Sequence, residues 1–271
     1  MIKILNEDCN KTLDDMITNK EKVDIILTSP PYNTCRNIPR TQKSLKHNDS
    51  RYDVYRESMT QQEYIDWTIG LFNKFDSVLE QNGVILYNIS YAVEFIEQSE
   101  QMWRLVVSIL DRTNFTVGDR IIWKKANAFP NNVSPNKLTR IVEDVFVFCR
   151  KDEFRTYKMN KPIVKVSSKT GQNFYGNLFN FVEAKNNDGR CDLNTATYST
   201  ELCEKLLKMF GTENMTVYDP FMGTGTTAVA CRNLGMNCIG SEISEAQCKW
   251  AEDRLLLDKP RYTSMSVKSL W

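Results

Sequence analysis

Val217 leads a short apolar strand into Asp219-Pro220-Phe221-Met222-Gly223-Thr224-Gly225-Thr226-Thr227, and a helix opens at about residue 226. A strand that enters a glycine-rich turn and leaves as a helix is a unit of alternating α/β folds, so this stretch narrows the fold class more than any other. Gly223 and Gly225 let the backbone approach a ligand closely, and the helix N-terminus presents unpaired amides. Glu242 lies seventeen residues past Gly225, at the end of the next short strand (Asn237 to Gly240). A carboxylate there can accept hydrogen bonds from ribose hydroxyls. On its own, the Gly-x-Gly pattern reads as an ordinary tight turn.

The chemistry of the loop separates the candidate ligands. A nucleoside-triphosphate loop needs Gly-Lys-Ser/Thr, which the chain lacks. A dinucleotide fingerprint needs a third glycine, and Ala228 is the nearest small residue to that place. Asp219 at the strand end would repel a pyrophosphate and suits a cationic ligand. S-adenosylmethionine carries both a sulfonium and an ammonium, so the loop points to that cofactor.

The rest of the chain fits the same alternation. Val23 to Leu27 reads as a buried strand closed by Thr28-Ser29-Pro30-Pro31. Thr60, with Glu63 three residues on, caps a helix to Leu79 along Tyr64, Trp67, Leu71, Phe75 and Val78. Asn82-Gly83 then predicts a turn into a strand over 84–89, followed by a helix at about 92–111 and strands at about 116–123 and 145–149. Residues 124–200 are the least regular, with Pro130, Pro135 and Pro162 among many Asn and Lys. Thr200 caps a helix that Gly211 ends, and a strand at 237–241 and a helix at about 244–257 close the pattern. The expected fold is α/β, a mainly parallel, doubly wound, Rossmann-like sheet carrying an irregular insert.

Thr28-Ser29-Pro30-Pro31-Tyr32 follows a buried strand directly, which places it at the carboxyl edge of the sheet, where open α/β folds bind ligands. The two prolines remove two backbone donors and stiffen the turn. An exocyclic base amine is a poor nucleophile, because its lone pair is conjugated with the ring. The Ser29 hydroxyl and the Pro30 carbonyl can accept its hydrogens, and Tyr32 offers a flat face for a base drawn out of the helix. A rigid proline turn with a buried tyrosine is the plainer alternative.

Taken together and in this order, the two motifs resemble the amino-methyltransferases of DNA, the N4-cytosine/N6-adenine family, in its beta arrangement with the Pro-Pro-Tyr half first. The resemblance covers roughly 1–125 and 195–258. It implies a transferase that moves a methyl group from S-adenosyl-L-methionine to the exocyclic amine of a flipped base. Ser29, Pro30, Pro31 and Tyr32 would be its catalytic turn. Asp219, Phe221, Gly223, Gly225 and Thr226 would hold the methionine end of the cofactor, Glu242 its ribose, and Asp8 would lie near the adenine. Serine at position 29 favours cytosine N4 as the target, with adenine N6 the alternative. The chain departs from the family's common His-Pro with Asn194-Thr195-Ala196-Thr197-Tyr198-Ser199. The resemblance divides the chain into a catalytic and cofactor-binding domain, 1–125 with 194–271, and a target-recognition segment, 126–193. It leaves open a homodimer and a companion restriction endonuclease, as in restriction-modification systems.

Charge supports DNA as the partner. Residues 120–170 hold twelve Lys/Arg against four Asp/Glu, and residues 36–56 hold six against two, although the whole chain is only +1. A basic face on an otherwise acidic protein suits a polyanion. Arg36, Arg40, Lys124, Lys125, Lys158, Lys161 and Lys165 are the candidate DNA contacts, and the loop 36–56 is expected to close over the flipped base. Eight cysteines without a C-x-x-C pair, and a single histidine, His47, predict free thiols and no metal site. No apolar run approaches a membrane span, so a cytoplasmic, DNA-associated protein is expected. Two other classes compete. Enzymes that methylate RNA or glutamine amines usually carry Asn-Pro-Pro-Tyr after the glycine loop, and a non-catalytic nucleic-acid binder would have no need of an intact turn and loop.

Overall fold

The computed structural model describes residues 1–33, 52–55, 57–92, 96–128, 130, 134–188, 191 and 193–257. Arg36, Arg40, His47 and most of the loop 36–56 lie outside the described residues.

Ten strands and six helices are described: β1 (Ile2–Leu5), α1 (Cys9–Asn19), β2 (Val23–Thr28), α2 (Gln61–Val78), β3 (Leu79–Ile89), α3 (Ile96–Arg112), β4 (Phe115–Lys125), β5 (Val142–Arg150), β6 (Ile163–Val166), β7 (Asn173–Tyr175), β8 (Phe181–Ala184), α4 (Thr200–Phe210), β9 (Thr216–Asp219), α5 (Thr226–Asn233), β10 (Asn237–Ser241) and α6 (Glu245–Leu257). Eight strands form one sheet in the order β1-β10-β9-β2-β3-β5-β4-β8. Only β5 runs against its neighbours. β6 and β7 form a separate antiparallel hairpin.

Side-chain alternation explains why both faces are covered. On β2, Ile26 joins one core with α1, α2 and α3, while its neighbours Ile25 and Leu27 join the other with α4 and α5. Phe72 centres the first core, with Phe75, Tyr87, Phe115 and Phe148 rings at 5.1–5.6 Å. The doubly wound, mainly parallel sheet is the one expected.

Three local differences have physical causes. The turn expected at Asn82-Gly83 is a bulge inside β3: Val23 pairs with Leu79 but Ile25 with Val84, and Asn82 takes φ 60°. A Cβ on Gly83 would sit 2.7 Å from the Asp24 carbonyl, so only glycine fits this close approach. The helix α1 is not among the expected elements; it buries Cys9, Thr12, Leu13 and Met16 along one face, and its start is marked by Asp8, whose side chain accepts from the Asn10 N–H. Finally, β5 and β8 lie within 126–193 yet belong to the main sheet, so among the described residues of that segment only those before β5, between β5 and β8, and after β8 stand outside it.

The strand order sets the site. β9 and β2 are adjacent and parallel, with Ile25 opposite Val217 and Ile26 opposite Tyr218. The glycine loop leaves the carboxyl end of one, and the proline turn leaves the carboxyl end of the other. Among the described residues no helix is long and apolar enough to cross a membrane.

Candidate active site

Two cavities meet at the carboxyl edge of β2 and β9. The first, of about 240 Å³, lies along the glycine loop; the second, of about 230 Å³, lies along the proline turn. Each exceeds the ~30 Å³ share of a single water several-fold, so each can hold a ligand group. Ser29, Ala196, Thr197 and Tyr198 line both. Ser29 is thus a shared wall.

The loop cavity is built for a cationic, partly aromatic ligand. Glu7, Asp8 and Glu242 line it together with Trp67, Phe221, Tyr52 and Tyr55, and no lysine or arginine is among its described lining residues. Glu7 is paired with Lys11 Nζ at 2.7 Å, outside the wall; Asp8 and Glu242, with no basic side chain among the described lining, fit a ligand bearing sulfonium and ammonium charges and disfavour a polyphosphate. Glu242 presents Oε2 to the Gly223 N–H at 2.9 Å and Oε1 to the Ser244 N–H at 2.8 Å. Burial pushes its carboxyl pKa up, against the pull of those two amides. Asp53 crosses the rim, accepting from Ser244 Oγ and, at 2.7 Å, from Gln247 Nε2, which carries Tyr52 and Val54 over the cavity.

Asp219 sits behind this wall. Its Oδ1 accepts from Thr28 Oγ1 at 2.9 Å and the Phe221 N–H at 3.0 Å; its Oδ2 accepts from Tyr198 at 3.1 Å and Thr227 at 2.5 Å. It is 1% exposed and does not line the cavity. Burial raises its pKa while the four donors hold it down. The carboxylate expected at the methionine end of the cofactor thus has both oxygens engaged by protein donors. The two loop glycines also differ. Gly223 (φ +54°) lines the cavity, whereas Gly225 (φ +82°) faces α6, where a Cβ would lie 2.5 Å from that of Ala251.

The second cavity is polar, lined by Ser29, Tyr32, Asn88, Trp123, Lys125 and Glu143 beside the 195–198 segment. Tyr32 Oη contacts Ser29 Oγ at 2.9 Å, Asn88 Oδ1 at 2.9 Å and Glu143 Oε2 at 3.1 Å. Burial, then the nearby Glu143 charge, pushes the Tyr32 phenol well above its ordinary pKa, so it stays protonated. Lys125 Nζ pairs with Glu143 Oε1 at 2.5 Å and lies 5.2 Å from the Trp123 ring centre.

Of the residues singled out from sequence, Ser29, Pro31, Tyr32, Asp8, Phe221, Gly223, Thr226, Glu242 and Lys125 line one cavity or the other. Pro30 is buried beneath the turn. Lys124 points elsewhere, to Glu183 at 2.8 Å. Lys158 pairs with Asp24 at 3.2 Å, near the start of β2, and Ser29 follows that strand's far end. Five residues of strand separate them by roughly 16 Å. Lys161 and Lys165 are exposed on and beside β6. Sequence reasoning passed over Asn88, Glu143 and Tyr198, whose roles depend on strand register and not on a local motif.

The family described as DNA methylase matches residues 23–253. Among curated proteins, the type II methyltransferase M.MjaI of Methanocaldococcus jannaschii is 25% identical, over 96% of this chain and 92% of its own. The type II methyltransferase M.HinfI of Haemophilus influenzae is also 25% identical, over 98% of this chain and 72% of its own. Among solved structures, the PvuII DNA methyltransferase (cytosine-N4-specific) superposes with a TM-score of 0.67 at 16% identity, covering 99% of this chain and 89% of that one. The M1.HpyAVI–SAM complex gives 0.63 at 23% identity, covering 95% and 100%. At these identities the structural likeness establishes the fold.

Proposed function

The chain belongs to the N6/N4 DNA methylase family and is an S-adenosylmethionine-dependent DNA amino-methyltransferase; on that premise we propose that it methylates N4 of a cytosine drawn out of duplex DNA, with adenine N6 as the alternative acceptor. The observation that carries the reading is the wall shared by the two cavities at Ser29. A methyl donor on one side and a flipped base on the other would meet there.

In the loop cavity, Glu242 would hold the ribose, Asp8 would lie toward the adenine, and Phe221, Gly223 and Thr226 would line the methionine end. Bound there, S-adenosylmethionine supplies an electrophilic methyl group on sulfur. The remaining work falls to the chain's own residues. Asp219 holds the glycine loop and the end of β2 in one geometry. Ser29 Oγ and the Pro30 carbonyl accept the amine hydrogens, which draws nitrogen toward tetrahedral geometry and frees its lone pair. The Tyr32 ring, fixed through its hydroxyl, bounds the base.

Lys125 is what favours cytosine. Its ammonium lies in the polar cavity, and the Watson–Crick edge of cytosine offers both a carbonyl and a ring nitrogen as acceptors beside its amine. Adenine has no such carbonyl. For target reading we propose the parts of 126–193 outside the sheet, with Lys161 and Lys165 on phosphates. Mass spectrometry of nucleosides from unmethylated DNA treated with the purified protein decides the base. N4-methylcytosine is expected; N6-methyladenine would move the assignment to the alternative, and neither product would overturn the reading.

A further inference from the structure

Glu143 is held at the polar cavity by three partners, and its link to Ser29 runs through Tyr32. A phenol has one hydrogen to donate. Asn88 Nδ2 donates to Glu143 Oε2 at 3.3 Å and to the Asp144 carbonyl at 3.1 Å. Neither of those oxygens can donate, so the amide is fixed with Oδ1 toward Tyr32. Two of the three groups around Tyr32 Oη, Asn88 Oδ1 and Glu143 Oε2, are therefore obligate acceptors. The phenol hydrogen goes to one of them. Ser29, 2.9 Å away, is the neighbour left to supply a hydrogen to the Tyr32 lone pair. Its own hydroxyl hydrogen then points at Tyr32, and its lone pairs face the cavity.

We propose that Asn88 and Glu143 are positioning residues that, acting together through Tyr32, make Ser29 an obligate acceptor. An acceptor at Ser29 selects the group of the flipped base that carries hydrogens, the exocyclic amine, over the adjacent ring nitrogen, which carries none. The inference rests on reading the polar cavity as the base site. It also removes Ser29 as a donor to the ring nitrogen, and assigns that contact to Lys125 Nζ. Lys125 spends one of its three hydrogens on Glu143 Oε1 and keeps two for the base.

The connection to Ser29 runs through one atom, the Tyr32 hydroxyl oxygen. Tyr32→Phe keeps the ring but removes the oxygen that holds the Ser29 hydrogen, which can then turn toward the amine in place of a lone pair. In single-turnover transfer of tritiated methyl groups into unmethylated plasmid DNA, Tyr32→Phe is expected to slow the reaction roughly ten- to a hundredfold. Melting temperature and calorimetric cofactor affinity stay at wild-type values. Ser29→Ala removes the group on which the Tyr32 hydroxyl acts, so adding Tyr32→Phe to Ser29→Ala should change the rate by less than about twofold. Independent, multiplying losses in the double variant would overturn the proposal, because the Tyr32 hydroxyl would then act by another route. A wild-type protein that transfers no methyl group would instead overturn the reading of the site. Neutron diffraction of the wild-type protein needs no variant. A deuterium on Ser29 Oγ directed at Tyr32 supports the proposal, and one directed into the cavity overturns it.

Discussion

Thr28 Oγ1 donates to Asp219 Oδ1 at 2.9 Å, joining the carboxyl ends of β2 and β9 across 191 residues of sequence. The bond fixes the proline turn relative to the glycine loop, and Tyr198 and Thr227 complete the attachment at Oδ2. Asp219→Ala leaves four donors without their acceptor, and an expected loss of at least about 2 kcal/mol follows from unsatisfied buried groups. Asp219→Asn should be milder. Its Oδ1 can still take the Phe221 N–H, and its amide can donate to the Tyr198 and Thr227 hydroxyls, which rotate. Denaturant melts with cofactor calorimetry separate the roles: if Asn loses as much cofactor affinity as Ala while staying folded, Asp219 binds the ligand directly and not through the loop.

Glu242 makes cofactor binding depend on pH. Burial raises its pKa above the usual glutamate value, and the ionised form is the better acceptor for ligand hydroxyls. Binding therefore favours ionisation and expels a proton where the free site is partly protonated. Affinity should fall as pH is lowered through the raised value, beginning above the ordinary glutamate range of about 4.3. Calorimetry near pH 5 in two buffers of different ionisation enthalpy would detect the released proton. Identical heats in both would count against this role.

Gly225 serves packing between α5 and α6. A side chain there meets Ala251 at 2.5 Å and must adopt φ +82°. Gly225→Ala should cost about 1–3 kcal/mol by overpacking, with further backbone strain, and weaken the cofactor by tilting the loop. Ala251→Gly in the same chain should recover part of the melting temperature. No recovery would place the strain elsewhere.

The lysines divide by position. Lys158→Glu breaks the pair with Asp24 at the end of β2 away from Ser29, so the salt dependence of DNA binding should be unchanged. Lys161→Glu with Lys165→Glu should lower the slope of log affinity against log salt by about two, near 0.9 for each lost phosphate contact. An unchanged slope in that pair would remove the β6–β7 hairpin from the DNA surface.

The catalytic turn, the glycine loop and the alternation around them were legible because each is local: a strand, a turn and a helix written in consecutive residues. Glu143 was not, since it reaches Tyr32 only when β5 inserts antiparallel between β3 and β4, a register that no short motif encodes. Tyr198 lay hidden in the same way, in a stretch without periodicity that the Asp219 carboxylate draws against the loop. For Asp219 itself, the residue was conspicuous but its partners were not, because Thr28 and Tyr198 come from distant parts of the chain. β6, β7 and β8 were masked by Asn, Lys and Pro, whose turn propensity outweighs a four-residue edge strand such as β8.

Ser29→Ala tests the meeting of the two cavities most directly. It removes one hydroxyl at their shared wall and leaves the carboxylates of the loop cavity in place. Tritiated-methyl transfer to unmethylated DNA and calorimetric S-adenosylmethionine affinity should be measured on the same preparation. Transfer is expected to fall roughly ten- to a hundredfold, with affinity held within about twofold. Transfer at the wild-type rate would contradict the site at Ser29.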